Sequence, residues 1–250
     1  MSHTIEKCNA FALRITNYSN TSQIVHFFSN EFGHINVIAK GSRSSKSKYQ
    51  GMLQPLSNYE IVIYKKDSTL SLLKEISIVK DNFELFNNLE KAAVAQGAAE
   101  LYLQLMFEEN DYAKFYRLLD QYFSYLQKVD KNFIIIFWRF LLRVTTLLGF
   151  SLKFDKCVFC QTTTPEKIYG ILFKQNGLVC IDCVRRKKIT ESFKCSRETI
   201  KILLSLKNIS DKINDIKMSQ LVVKEINTIF KTYLSYHLNR RIHLKSLEIL

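Results

Sequence analysis

Apolar and polar residues alternate in short runs over the first 80 positions, which is the pattern of half-buried β-strands. These runs are rich in β-branched and aromatic residues, as strands are. The pattern predicts five strands, over residues 11–15, 23–28, 35–39, 59–64 and 70–78. Five short strands with an early hairpin and no long helix are typical of an OB-type barrel. We therefore expect residues 1–80 to form an OB-fold, nucleic-acid-binding domain.

From residue 89 onward, apolar residues recur at intervals of three and four, as on one face of a helix. The clearest series is Phe115, Leu118, Leu119, Tyr122, Phe123 and Leu126. Residues 92–107 are rich in alanine, and residues 133–148 are apolar nearly all round, which predicts a buried central helix. Further helices are expected over 199–206 and 222–237. Together these patterns predict an α+β chain in which residues 81–250 form a helical domain.

Four cysteines interrupt the helical region as C-x2-C, nineteen residues, C-x2-C; they are Cys157, Cys160, Cys180 and Cys183. Each C-x2-C can direct two sulfurs toward one point, and two such pairs supply the four thiolates that Zn²⁺ prefers. Between the pairs, the apolar run 168–174 and the turn signal 175–177 predict a hairpin that returns the second pair to the first. Two local disulfides or free thiols remain the alternative.

These residues predict a four-cysteine zinc arm inserted in the helical domain at about residues 151–190, here called the cysteine arm. Four protein sulfurs leave no open coordination position, so one structural Zn²⁺ is expected rather than a catalytic ion. Cys8 and Cys195 have no partner at a useful spacing and are expected to be small buried thiols.

The net charge of +13 is concentrated at the two ends of the chain. Residues 1–80 carry ten Lys and Arg against five Asp and Glu, and residues 151–250 carry nineteen against nine, whereas residues 81–150 carry seven against nine. Such a distribution favours two surfaces that face a polyanion. General solubility charge is the alternative.

The first cationic cluster follows the third predicted strand, where four cations stand without an acid: Lys40, Arg43, Lys46 and Lys48. Gly41 and several serines keep this segment supple, so it can follow a phosphate backbone without reading bases. Tyr49 at its end is expected to stack on a base. A solvated loop without a ligand is the alternative, as it is for a second cluster that includes Arg185 and Arg186.

Several function classes find no support in the sequence. The chain has no G-x-x-x-x-G-K-[ST], no H-E-x-x-H and no K-x-D-G motif, so we expect no enzyme activity. The first nine residues lack the apolar core of a signal peptide, and Arg139 and Arg143 break the most apolar stretch. Together with the expected zinc thiolates, these features predict a cytoplasmic protein that does not engage a membrane.

The chain as a whole resembles the RecO family of bacterial recombination mediators. The resemblance rests on the order and spacing of several segments, none decisive alone: residues 12–14, 28–43 (F-S-N-E-F-G-H-I-N-V-I-A-K-G-S-R), 53–56 (L-Q-P-L), 137–150 (F-W-R-F-L-L-R-V-T-T-L-L-G-F), 178–180, 236–238 and 245–246. Two positions depart from the family pattern. Gln161 stands where a glycine is common, which is expected to strain that turn, and Asn176-Gly177 replaces a Gly-Gly pair.

The resemblance implies an N-terminal OB barrel, a helical body and an inserted zinc arm. It implies binding of single- and double-stranded DNA in the nucleoid, annealing of complementary strands, and work with RecR to load RecA on strands coated by the single-stranded-DNA-binding protein SSB. It also implies that the helical body binds the acidic C-terminal tail of SSB, for which Arg139 and Arg143 are candidates. An RNA-binding or ribosome-associated protein with a barrel and a zinc arm remains the main rival, and a ligase fragment a second.

Overall fold

The computed structural model of the chain describes residues 4–65, 70–206 and 213–250. Its contacts divide the chain into two compact units, Met1–Lys128 and Val129–Leu250. The first unit contains the strands expected to form the barrel together with two helices that follow them. The second contains the four cysteines and the remaining helices.

Five strands of the first unit form a closed barrel: β1 (Thr4–Asn17), β2 (Gln23–Ser29), β3 (Gly33–Ala39), β4 (Asn58–Lys65) and β5 (Ser71–Lys80). The strand order is β1-β2-β3-β5-β4, and β4 pairs back with β1. The β3–β5 pair is parallel, and the other pairs are antiparallel. The α+β class and the OB-like barrel are confirmed, and each predicted strand is present with somewhat different ends.

The barrel interior is built by the period-2 alternation of the strands, because every second side chain points inward. Buried and exposed positions alternate along β3 and β4. The interior residues include Val25, Phe27, Val37, Ile61 and Ile63. β1 is long enough to pair with β4 through its first half and with β2 through its second, and a register shift lies between Ala12 and Arg14. Such a bulge bends a strand and helps a small barrel to close.

Two helices pack against one end of the barrel, α1 (Leu89–Tyr102) and α2 (Tyr112–Gln127). The ring of Phe11 lies 5.1 Å from that of Tyr116 and 5.6 Å from that of Phe123 on α2. The helix expected over residues 92–107 ends at Tyr102 instead. Phe107 leaves the helical path and places its ring 4.7 Å from Phe28 and 4.5 Å from Phe115 (centroid distances). Tertiary aromatic packing therefore overrides the local helical period there.

The second unit combines four helices with a small four-stranded sheet: α3 (Phe133–Leu147), β6 (Lys153–Cys157), β7 (Ile168–Leu172), β8 (Gly177–Cys180), α4 (Ile181–Arg186), β9 (Phe193–Lys194), α5 (Arg197–Ser205) and α6 (Gln220–Leu238). The sheet order is β6-β8-β7-β9. α3 is buried along most of its length, as its composition predicts. The buried Trp138 donates its indole N–H to Asn227 Oδ1 at 2.8 Å, which fixes α3 against α6.

The starts of α5 and α6 are capped reciprocally. The Glu225 carboxylate, on α6, accepts hydrogen bonds from Ser196 N and Oγ at 2.8 and 2.7 Å, and Ser196 is the N-cap of α5. Glu198, on α5, accepts from the N-cap of α6, Ser219, at 3.3 Å. These bonds satisfy N-terminal polar groups that a helix leaves without internal partners. Within the part of the chain that the structure describes, no helix has both the length and the apolar character needed to cross a membrane.

Candidate metal centre and nucleic-acid interface

The four cysteines of the cysteine arm meet at one edge of the small sheet. β6 and β8 run parallel, so their last residues, Cys157 and Cys180, lie at the same edge. Cys160 follows in a turn after β6, and Cys183 lies in α4 directly after β8. The predicted hairpin is present, since β7 and β8 pair antiparallel with Leu172 opposite Gly177.

The distances among the sulfur atoms suit a tetrahedral ion. All four Sγ atoms lie within 4.8 Å of one another, and the Sγ atoms of Cys160 and Cys180 are 3.5 Å apart. Four Zn–S bonds of about 2.3 Å in a tetrahedron place sulfurs about 3.8 Å apart, whereas a disulfide needs about 2.05 Å. The thiols are therefore free and arranged as a metal-binding set rather than as two local disulfides.

Backbone N–H groups point at the sulfurs and favour thiolates. Cys180 N–H donates to Cys157 Sγ, and Cys183 N–H donates to Cys180 Sγ, each at 3.4 Å. Burial alone raises the pKa of Cys157, but hydrogen bonds from the N–H groups of Cys160, Phe159 and Cys180 lower that pKa to about 7. Burial raises the pKa of Cys180 to about 12. A divalent cation would offset that burial penalty, because it binds the deprotonated sulfur.

The second C-x2-C is surrounded by cations. Arg186 donates from Nη2 to Cys183 Sγ at 3.6 Å, and this contact raises the pKa of the guanidinium. The Nζ of Lys187 lies 4.6 Å from the centroid of the Phe159 ring, which belongs to the first C-x2-C. These two side chains link the metal-binding set to its own surface, an arrangement that the sequence spacing did not reveal.

Both departures from the family pattern take left-handed backbone conformations. Gln161 has φ 63° and Asn176 has φ 54°. Gln161 carries the strain expected at that turn, because a side chain with Cβ is disfavoured there. Asn176 tolerates this conformation better, and its Oδ1 accepts a hydrogen bond from Tyr233 on α6 at 2.9 Å. The asparagine thus anchors the hairpin turn in a way that a glycine could not.

The cationic loop, residues 40–49, lies between β3 and β4. Lys40, Arg43 and Lys46 are exposed. Lys48 is exposed as well, but its Nζ donates to Lys74 O at 2.6 Å and lies 4.9 Å from the centroid of the Tyr49 ring. The loop is therefore held against the barrel at one end, and most of its charge faces solvent.

Tyr49 is not available for stacking on a base. Its residue is 5% exposed and belongs to the barrel core. Its hydroxyl donates toward the backbone carbonyls of Leu73 and Lys74, at 3.0 and 3.2 Å. The prediction of base stacking at Tyr49 is wrong for this conformation, because an aromatic residue at the end of a cationic segment can equally well fasten that segment to the core.

The exposed aromatic residue of this region is Tyr18, in the loop between β1 and β2, with 60% of its surface accessible. Arg43 reaches this loop, donating from its backbone N–H to Thr21 O at 2.8 Å and from Nη1 to Ser19 O at 3.3 Å. Sequence reasoning missed Tyr18, although a tyrosine in a run of Asn, Ser and Thr with no apolar neighbour in the loop is a usable signal.

The remaining predicted site residues lie in the second unit. Arg185 and Arg186 are exposed at the end of α4. Arg139 is half-buried and Arg143 exposed, four residues apart on α3, which places them on the same side of that helix.

Comparison with known proteins assigns the chain to a family. Residues 1–82 match the family described as "Recombination protein O N terminal", and residues 87–248 match "Recombination protein O C terminal". The chain belongs to the RecO family.

Named RecO proteins align along nearly the whole chain. The "DNA repair protein RecO" of Chloroherpeton thalassium is 27% identical, covering 98% of this chain and 97% of its own length. That of Syntrophus aciditrophicus is 24% identical over 98% of this chain and 94% of its own. That of Chlorobium limicola is 30% identical, over 62% of this chain and 60% of its own. This RecO-family chain is thus a DNA repair protein in which the barrel and the four-cysteine set occur together.

Proposed function

We propose that this protein is a recombination mediator that binds single- and double-stranded DNA and anneals complementary strands. With RecR, it would help to load RecA onto DNA coated by SSB, in the cytoplasm at the nucleoid. Membership of the RecO family supports the repair role. The observation that carries the proposal of DNA binding is the cationic loop on a closed barrel, where Lys40, Arg43 and Lys46 face solvent.

The domain assignment belongs to the same proposal. Residues 1–80 would be the DNA-binding domain and residues 81–250 the helical domain, with the zinc arm at about 151–190. One Zn²⁺ would be held by the thiolates of Cys157, Cys160, Cys180 and Cys183, since their spacing suits its tetrahedral preference. The ion would brace the arm, and Arg185 and Arg186 beside it would contact phosphates.

The mechanism of annealing is electrostatic. Two DNA strands repel one another through their phosphates, so their encounter is slow. Cationic side chains on a protein neutralise phosphates and release counterions, and two DNA-binding surfaces raise the local concentration of one strand near the other. No bond is made or broken in this process, so it needs no catalytic residue.

Binding of the SSB tail would use the helical domain. The tail is acidic, and α3 places Arg139 and Arg143 on one side of the helix. Guanidinium groups pair well with carboxylates, often through two hydrogen bonds. The half-buried position of Arg139 would strengthen such a pair by reducing its exposure to water.

Strand annealing tests the proposal. Two complementary oligonucleotides are coated with the cognate SSB, mixed with and without this protein, and followed by a fluorescent donor–acceptor pair. We expect the protein to accelerate duplex formation, and a structured RNA in equal mass to compete poorly. No acceleration would contradict the proposal, and stronger competition by the RNA would favour the RNA-binding rival.

A further inference from the structure

Part of the barrel's outer surface forms an open face beside the β1–β2 loop. Val25 and Val37 point into the core, so their neighbours along β2 and β3 point outward. Strand registers arrange these outward residues in two rows across three strands, one of Arg14, His26 and Asn36 and one of Thr16, Ile24 and Ile38. We call these six residues the outer face.

The outer face combines polar and apolar groups. His26 Nδ1 and Asn36 Oδ1 lie 2.7 Å apart, which fixes the polar row. Ile24 and Ile38 are opposite one another and half-buried, so part of their apolar surface remains accessible. Bases and sugars of an unpaired strand offer apolar and hydrogen-bonding groups that such a mixed surface can contact.

The Tyr18 loop, residues 18–22, borders this face and is joined to the cationic loop. Tyr18 N–H donates to Ser22 O at 3.0 Å, which closes the loop. Gly41 N–H donates to Ser22 Oγ at 3.4 Å, and the bonds from Arg43 to Ser19 and Thr21 complete the junction. An exposed aromatic ring and phosphate-binding cations are thereby held next to one another.

The electrostatics of this region select an anionic occupant. Residues 14–49 contain five Lys and Arg but a single acid, Glu31. Among the residues that the structure describes, Arg14, Lys40 and Arg43 form no ion pair with a carboxylate. Their charge is therefore available to phosphates rather than neutralised within the barrel.

We propose that single-stranded DNA lies across the outer face, with an unpaired base stacked on Tyr18 and its phosphates held by the cationic loop. The inference rests on the proposed function and adds the strand type that the barrel selects. An aromatic ring can stack on an unpaired base of any sequence. The bases of a duplex are already stacked on one another and paired, so a duplex would use the cations alone.

The test compares Tyr18→Ala, Tyr18→Phe and the unchanged full-length protein for binding to an unpaired oligothymidylate and to a blunt duplex at one fixed salt concentration. Tyr18→Ala should weaken binding of the single strand by about tenfold and leave duplex binding within about twofold. Tyr18→Phe keeps the ring and should bind nearly as well as the unchanged protein. Tyr125→Ala removes another exposed tyrosine of the same unit, on α2, and should change neither affinity.

Unchanged single-strand binding by Tyr18→Ala, or an equal loss for both DNA forms, would overturn the inference. Thermal melting of each variant shows that the fold is retained, and Tyr18→Leu distinguishes loss of the ring from loss of apolar area. The proposed function stands or falls separately: it fails only if the unchanged protein binds neither DNA form or does not accelerate annealing.

Discussion

At the scale of single residues, backbone conformation explains positions that composition leaves unexplained. Gly33, in the turn between β2 and β3, has φ 61°, a region that residues with a side chain rarely occupy. A Cβ built on Gly33 would lie 2.6 Å from the Tyr112 ring. Glycine is therefore needed there twice, for its conformation and for the close approach of α2 to the barrel.

Replacing Gly33 by alanine should lower the free energy of unfolding by about 1–3 kcal/mol, because the left-handed conformation is strained and the ring must shift. Gly51→Ala is the matched control, since Gly51 has φ 70° but nothing within 4 Å of its Cβ position. Urea unfolding measures both. We expect the larger loss at Gly33; equal losses would mean that the contact with Tyr112 adds nothing.

The two adjacent arginines of α4 are expected to have separable effects. Arg186→Ala removes the hydrogen bond to Cys183 Sγ and should weaken metal binding by about tenfold, the lower end of the usual effect of such outer contacts. Arg185→Ala removes the same charge without that contact and should leave metal affinity nearly unchanged. Competition with a chromophoric chelator measures both. Equal metal affinities in the two variants would contradict a role for Arg186 at the metal.

At the scale of elements, the cysteine arm shows how secondary structure assembles a site. A parallel pair, β6 and β8, brings the first cysteine of each C-x2-C to one edge, and the β7–β8 hairpin sets the distance between the pairs. Gly170 permits the fourth strand to join, because a Cβ there would lie 2.0 Å from Phe193 O on β9. The sheet is small, so it has little apolar core of its own and depends on the metal.

Loss of the metal should destabilise this element more than any other. Cys157→Ser should lose bound zinc and melt at a lower temperature than the unchanged protein, and chelation should reproduce the effect. Cys195→Ser is the control, since Cys195 is buried in the same unit but lies outside the metal-binding set. Elemental analysis and calorimetry give the two readings. A metal-free protein that melts at the unchanged temperature would refute a bracing role.

At the scale of the whole molecule, charge is the property that relates the sequence to its partner. The excess of +13 is carried largely by side chains that face solvent, as in the cationic loop. Some cations of the first unit are paired with acids, for example Lys7 with Glu60 at 2.9 Å. Pairing divides the lysines and arginines into those that neutralise the protein and those available to DNA.

The salt dependence of DNA binding should report this division. Replacing Lys40, Arg43, Lys46 and Lys48 together by alanine should reduce the slope of log affinity for single-stranded DNA against log salt by about 3, because four phosphate contacts are lost. The control removes four cations of the first unit that lie beside carboxylates, at Lys7, Lys74, Lys80 and Lys114. Its slope should change less, and equal changes would show that only net charge matters.

How far the sequence predicts the molecule differs between its parts. The strands of the barrel follow from period-2 alternation, and α2, α3 and α6 follow from apolar periodicity, because these patterns reflect which side of an element is buried. The C-x2-C pairs and their hairpin were also predictable, since ligand spacing and turn residues act locally. The end of α1 was not, because Phe107 is placed by rings from β2 and α2 rather than by its own neighbours in sequence.

By itself the sequence determined the order of elements, the four-cysteine set, the uneven charge and the family, all of which depend on local pattern or on similarity along the chain. Only the tertiary structure decided that Tyr49 is a core residue, that Tyr18 is exposed beside Arg43, and that Arg186 contacts Cys183. The physical reason is that burial and contact depend on segments distant in sequence, which meet only when strands pair and helices pack.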